Sequence, residues 1–251
     1  MPHAVLIASV LLLAGVAAGI VGTAGGITSL VAYPALLATG IPPLAANITN
    51  SVALLGSGIG SASRAAPDVA GHGATIRRWA AVGALCSSAG AVLLVVTPGR
   101  VFDRVVPFLV LAGAAILLLQ PAITRWQHRR QRRWSRTAIA AGLGGITLYN
   151  GYFGAGSGIL LIALLLLTRE PVLHRANAMK NVILIASDLL PAVLFAAVGT
   201  VVWSAAVPLG AGAAIGGLIG PSVARRVPAR AMRWLIAACG VVLAGWLFLR
   251  G

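Results

Sequence analysis

The chain has 251 residues, of which 59% are hydrophobic and only 9% charged, and its formal net charge is +15. A soluble domain carries about a quarter charged residues, so this composition excludes one and indicates a polytopic membrane protein. The surplus of positive charge does not indicate nucleic acid: the basic residues crowd into short loops, and Trp126 and Trp134 flank the central basic run singly instead of interleaving with it as base-stacking residues would. The expected partner of that charge is a bilayer with anionic headgroups.

In chain order, the first apolar segment runs from Ala4 to Thr39, too long for a single helix of ordinary membrane length to use in full. Met1-Pro2-His3-Ala4 lacks a basic n-region, so residues 4 to 22 are not read as a cleaved signal peptide. The segment is interrupted at Gly22-Thr23-Ala24-Gly25-Gly26-Ile27-Thr28-Ser29. After a turn at Gly40-Ile41-Pro42-Pro43, residues 44 to 63 are expected to form an apolar helix with Asn47, Thr49, Asn50 and Ser51 near its start. A polar loop from Arg64 to Arg78 leads to expected spans at 79–97 and 103–121, and the basic run Arg125 to Arg136 divides the chain. Cys86 and Cys239 sit deep in apolar runs with no ligand-spaced neighbour and are read as inert core residues.

The second half repeats the layout. Its apolar segment, Thr137 to Thr168, is interrupted at Gly151-Tyr152-Phe153-Gly154-Ala155-Gly156-Ser157-Gly158. A helix from about His174 to Val198 then carries Asn177, Lys180, Asn181 and Asp188, and spans at roughly 200–221 and 231–249 close the chain. Sliding the halves over one another sets Gly26-Ile27 on Gly158-Ile159, and Asn50 on Asn181 with a one-residue gap. The division is therefore a first repeat at 1–121, a basic cytoplasmic linker at 122–136 and a second repeat at 137–251. Paired glycine-broken apolar segments in two halves are the best sequence pointer to the binding site of a secondary transporter.

Charge placement separates two topologies. If each broken segment crosses once, the basic residues divide ten against nine. If each is a hairpin that enters and returns, sixteen fall on one side and only Arg100, Arg104 and Arg250 on the other. The positive-inside bias prefers the hairpins. The expected architecture is then all-α, with two inverted-topology repeats, each a glycine-broken helical hairpin plus three transmembrane helices, and with both termini away from the cytoplasm. Arms such as 137–150 and 158–168 reach only about 15 to 20 Å, which puts their tips near the midplane.

Backbone broken at membrane depth is tolerated only inside protein or beside a water-filled cavity. Each restarting helix presents free N–H groups and a positive dipole end, and two such ends converging on one point form an anion site. Gly22, Gly25, Gly26, Gly154, Gly156 and Gly158 would let backbone approach the ligand, and Thr23, Thr28, Ser29 and Ser157 would add hydroxyls. Asn47, Thr49, Asn50, Asn177, Lys180 and Asn181 would form the surrounding polar wall. The alternatives are hydroxyls bonded to their own helix, small residues serving close packing, and a Lys180 that snorkels to the cytoplasmic headgroups. Asp188 is the only acid well inside an apolar span, either a proton-coupling residue or a hydrogen-bonded tie between helices. A serine hydrolase using Ser157 is the rival from another class, and it lacks a base, since His3, His72, His128 and His174 all fall in loops or at span ends.

Gly22-Thr23-Ala24-Gly25-Gly26, the following Pro34, Ala46-Asn47-Ile48-Thr49-Asn50, and the second copy at Gly154 to Gly158 with Asn177 to Asn181 resemble the TauE/SafE family of sulfite-exporter-like permeases. The second copy departs from the first in having Leu166 where Pro34 would fall and Ser157 in place of a glycine. The resemblance implies a bacterial inner-membrane permease, multi-pass, for sulfite, sulfonates or other small organic anions, with the glycine and asparagine motifs above as its site. No cofactor, metal or covalent chemistry is expected. A noncatalytic membrane subunit is the third reading, and oligomeric state is left open, with a homodimer as one candidate.

Overall fold

The computed structural model describes residues 2–63, 65–129, 134–198, 201–224 and 229–250, and among them every regular element is helical. In order these are α1 (Pro2–Gly25), α2 (Ser29–Ala38), α3 (Pro43–Ala53), α4 (Leu55–Ala62), a 3₁₀ turn (Ala66–Val69), α5 (Gly73–Val96) and α6 (Gly99–Arg129). The second half holds α7 (Arg136–Tyr152), α8 (Ser157–Thr168), α9 (Leu173–Val198), α10 (Trp203–Ala224) and α11 (Ala229–Arg250). Five of the described helices are long and apolar enough to cross a membrane, and many of their large apolar side chains, Leu85, Phe108 and Val207 among them, are exposed. The protein is a multi-pass membrane protein: such a surface is stable against lipid and costly against water.

Several boundaries differ from the sequence expectation. The helix expected at 44–63 breaks at Leu54, although the amides of Leu54 and Gly58 still bond the carbonyls of Asn50 and Leu54, so the two pieces run on with little offset. Helix α5 begins six residues early, and α6 continues past 121 through residue 129, carrying helix into the basic linker. Arg64 and Arg130 to Arg133 lie outside the described residues. Helix α1 has 24 residues, about 36 Å at 1.5 Å per residue, and is much longer than α2 with 10. Cys239 is exposed and Cys86 half-buried, which corrects their reading as core residues.

The helices pack across the two halves. Helix α1 lies along α10, α5 lies between α7 and α9, α10 also covers α3 and α4, and α6 pairs with α11. Exchanging α1 for α7, α2 for α8, α3–α4 for α9, α5 for α10 and α6 for α11 turns each of these pairings into another that is present. Small residues make the close crossings possible, as expected where lipid gives no hydrophobic drive to helix association. A Cβ at Gly15 would collide with the Leu209 carbonyl on the α1–α10 face, and one at Gly151 with the Ser87 carbonyl on the α7–α5 face.

Candidate functional site

Both glycine breaks are tight elbows. In a continuous helix the side chains of Asn150 and Ser157 would be about 10 Å apart along the axis. Here Ser157 Oγ donates to Asn150 Oδ1 at 2.6 Å. At the first break, Thr28 folds against Gly22 so closely that a Cβ there would strike its hydroxyl. The turns use left-handed backbone at Gly26 (φ 70°), Gly154 (φ 79°) and Gly156 (φ 82°), which side chains rarely tolerate.

The carbonyl ends of the two entering helices are capped from the opposite half. Asn177 Nδ2 donates to the Thr23 carbonyl at 2.8 Å, and Lys180 Nζ to the Gly22 carbonyl at 3.2 Å. At the second elbow, Asn47 Nδ2 donates to the Tyr152 carbonyl at 2.9 Å. The two asparagines satisfy carbonyls that the breaks would leave without partners, whereas the Gly22 carbonyl already accepts from the Gly26 amide at 2.8 Å and takes Lys180 as a second donor, where an ammonium suits the negative end of α1. Lys180 is 2% exposed. It therefore does not snorkel: its amine is held inside the bundle. Tyr33, Phe102, Tyr152 and Phe153 pack around the second elbow, with Tyr33 edge-on to Phe153 at 5.5 Å.

The elbows meet. A Cβ at Gly26 would lie 2.8 Å from Gly158 backbone, and one at Gly158 would lie 2.7 Å from the Gly26 Cα. Beside this contact is a cavity of about 80 Å³ lined by Ser29, Ser157, Lys180, Asn181, Asn150 and Asp188, with Gly22, Thr23, Gly26, Thr28 and Gly154 and with Ser57 and Ser61 from α4. That is several times the 10–15 Å³ or so needed for one water. Neither α2, whose N-cap is Thr28, nor α8, whose N-cap is Gly156, has a side chain capping its first turn. A second cavity of about 50 Å³ shares Ser29, Leu54, Asn150, Gly154 and Asp188 with the first and adds Asn50, Ser51, Phe153 and Phe195. A roomier groove of about 240 Å³ at the α2–α3 turn has Asp103 as its only charged lining residue and so disfavours anions.

The structure thus gathers Gly22, Thr23, Gly26, Thr28, Ser29, Gly154, Ser157, Lys180, Asn181 and Asp188 around one cavity. Thr23 commits its hydroxyl to its own helix, at 2.6 Å from the Gly19 carbonyl. Gly25 ends α1, Gly156 packs against Ile116, and Gly158 forms the contact with Gly26. Asn47 and Asn177 act at the helix ends, outside the cavity lining. Thr49 accepts from the Val202 amide at 3.0 Å and so holds the start of α10, while Asn50 donates to Ser29 Oγ at 3.3 Å from the second cavity. Sequence reasoning missed Asn150, along with Ser57 and Ser61 of the cavity lining: Asn150 accepts from Ser157 and donates to Asp188 Oδ1, tying α7, α8 and α9 together. The available signal was an amide inside the apolar run of residues 137–150, four positions before Gly154.

A family model described as "Sulfite exporter TauE/SafE" matches residues 7–247. The chain belongs to the TauE/SafE family. This TauE/SafE protein is 30% identical over 241 residues to "Probable membrane transporter protein ORF9" of Sinorhizobium sp, covering 93% of this chain and 89% of that one. It is 25% identical over 220 residues to a "Probable membrane transporter protein" of Haemophilus influenzae, covering 84% and 83%. It is 24% identical over 246 residues to "Probable membrane transporter protein YfcA" of Escherichia coli K12, covering 96% and 90%. No solved structure matches the chain. As a member of a transporter family it is a membrane permease and not an enzyme, and the hydroxyl of Ser157, the one candidate nucleophile, is engaged by an amide and not by a base.

Proposed function

We propose that this permease carries a small oxyanion, namely sulfite, a sulfonate or a related organic anion, by alternating access around the two elbows. The observation that carries this reading is the cavity beside the Gly26–Gly158 contact, where the uncapped starts of α2 and α8, with Ser29 and Ser157, share a lining with the buried amine of Lys180. The amides of Leu30, Val31, Ser157 and Ile159 bond carbonyls of the preceding turn, so what the two helix starts offer an anion is chiefly their positive dipole ends, and the second and third donors of Lys180 are free to bind one. The exchange symmetry of the helix packing supports two repeats, and the sixteen-to-three division of basic residues supports inverted hairpins with cytoplasmic basic loops. In this reading the protein sits in a bacterial inner membrane against anionic headgroups, with both termini outside the cytoplasm, and binds no nucleic acid.

The test is a thermal-unfolding screen of the purified protein against sulfite, sulfonates, thiosulfate and small carboxylates. A bound anion at about 100 times its Kd stabilises by about 2.7 kcal/mol. The expected result is saturable stabilisation by a sulfur oxyanion, lost in Lys180→Met. No stabilisation by any of these anions would instead support a noncatalytic membrane subunit.

A further inference from the structure

We infer that the smaller cavity is a Na⁺ site whose occupancy is coupled to anion binding in the larger one, an inference that rests on the permease reading above. Its polar side chains are Asp188, Asn50, Asn150, Ser29 and Ser51, and none of its lining residues is a Lys, Arg, His or Cys. Three of their donors are engaged: Asn50 Nδ2 with Ser29 Oγ, Asn150 Nδ2 with Asp188 Oδ1, and Ser51 Oγ with the Asn47 carbonyl at 3.0 Å. The lining is thereby rich in oxygen acceptors. Asn50 is 1% exposed, and its Oδ1 has no hydrogen-bond partner. A buried acceptor without a donor, beside a carboxylate in the same small space, is explained by a hard cation.

Two further features narrow the cation. Gly151 and Gly154, at the carbonyl end of α7, also line the cavity, and broken-helix carbonyl ends are where transporters hold Na⁺. Asp188 is the only carboxylate there, and no cluster of three His, Cys, Asp or Glu occurs among the described residues, which suits one positive charge better than the several carboxylates that a Ca²⁺ site uses. The space of about 50 Å³ exceeds the 10–15 Å³ or so that one water needs.

The placement supplies the coupling. The two cavities follow one another along α3–α4 and α9: the larger is bordered by Ser57 and Ser61 and by Asn181 and Leu184, the smaller by Asn50 and Ser51 and by Pro191 and Phe195. Asp188 borders both. Its bare carboxylate repels an anion next door, and Na⁺ on its other side removes that repulsion, so each ion strengthens the other's binding by the same factor. The sequence reading of Asp188 as a proton carrier makes the opposite prediction, that Na⁺ is irrelevant.

The experiment uses the full chain in detergent, with NaCl compared against choline chloride at equal ionic strength. NaCl raises the unfolding temperature saturably, choline chloride does not, and sulfite binds at least about fivefold more tightly in NaCl. Asp188→Asn abolishes the Na⁺ response, while Asn150→Ala, which removes the group orienting that carboxylate, weakens it about 10- to 100-fold. Identical unfolding temperature and sulfite affinity of the unmutated protein in the two salts overturns the site without depending on any variant's folding. Sulfite binding that persists unchanged in choline chloride overturns the coupling and leaves the anion reading standing. Saturable Na⁺ stabilisation with no anion binding in either salt supports the Na⁺ site and sinks the anion-substrate reading.

Discussion

The two elbows solve one structural problem in the same way and then diverge in charge. Each is a helix end at membrane depth whose last carbonyls are capped by an asparagine from the other half, Asn177 at Thr23 and Asn47 at Tyr152. Beside the first cap stands Lys180, on the Gly22 carbonyl; beside the second stands Asn150, linked to Asp188 and Ser157. The asparagines therefore belong to the fold's solution of the break, while Lys180 and Asp188 are where the two elbows differ. One cation and one carboxylate around a shared cavity give the paired elbows a polarity that two identical elbows would lack.

The comparison breaks hardest where the elbows touch. Gly158→Ala or Gly26→Ala places a Cβ within 2.7 to 2.8 Å of the other elbow's backbone, and at Gly26 the backbone is also left-handed. Overpacking and strain together cost on the order of 3 kcal/mol or more, so both variants should lose most of their folded, monodisperse yield on gel filtration. Retention of wild-type yield and unfolding temperature would show that the contact is not structural.

The next largest effect separates the cation from the caps. Lys180→Met keeps the side chain's length and apolar stem but removes the charge, and sulfite affinity should fall by about tenfold or more, a loss of about 1.4 kcal/mol in binding. Lys180→Arg should not restore it, because a planar guanidinium does not fit where a compact ammonium bonds the Gly22 carbonyl at 3.2 Å. Binding that is unchanged in Lys180→Met would assign the lysine to the fold alone.

Asn47→Ala and Asn177→Ala sharpen the comparison of the two caps. Each leaves a helix-end carbonyl without its donor, a cost of about 1–2 kcal/mol, so the two should lower the unfolding temperature by similar amounts while leaving anion affinity within about twofold. If only one of them destabilises, the elbows are not equivalent supports.

Membrane class, the two breaks and their glycines were legible because each is local: composition and a flexible residue where the chain turns. The set of long spans was not: the stretch expected as one span at 44–63 is two short helices, and the first arm, α1, is itself long enough to cross a membrane. The partners of Asn47 and Asn177 were not, because they lie 105 and 154 residues away. An amide near a site looks the same in sequence whether it faces a ligand or a carbonyl. The snorkelling alternative for Lys180 stayed open for a related reason: its place near the start of α9 suits it, and only the packing of α9 against the end of α1 shows the amine bonded inside the bundle. Leu54 gave no sign of its break, since helix bonds continue on both sides of it.

The smallest expected effect tests whether the two serines are equals. Ser157 donates at 2.6 Å to an amide that is itself bonded to Asp188, whereas Ser29 is shown accepting a longer bond of 3.3 Å from Asn50. Losing one such bond costs about 0.5–1.5 kcal/mol, and the shorter, networked one belongs at the upper end. Ser157→Ala should therefore lower the unfolding temperature more than Ser29→Ala. If Asn150 transmits the difference, combining Ser157→Ala with Asn150→Ala should cost less than the sum of the two single changes, because the second deletion finds the network already open. Strict additivity in that double-mutant cycle would reduce Asn150 to two unrelated contacts and remove the asymmetry between the elbows that the cavity's charges otherwise display.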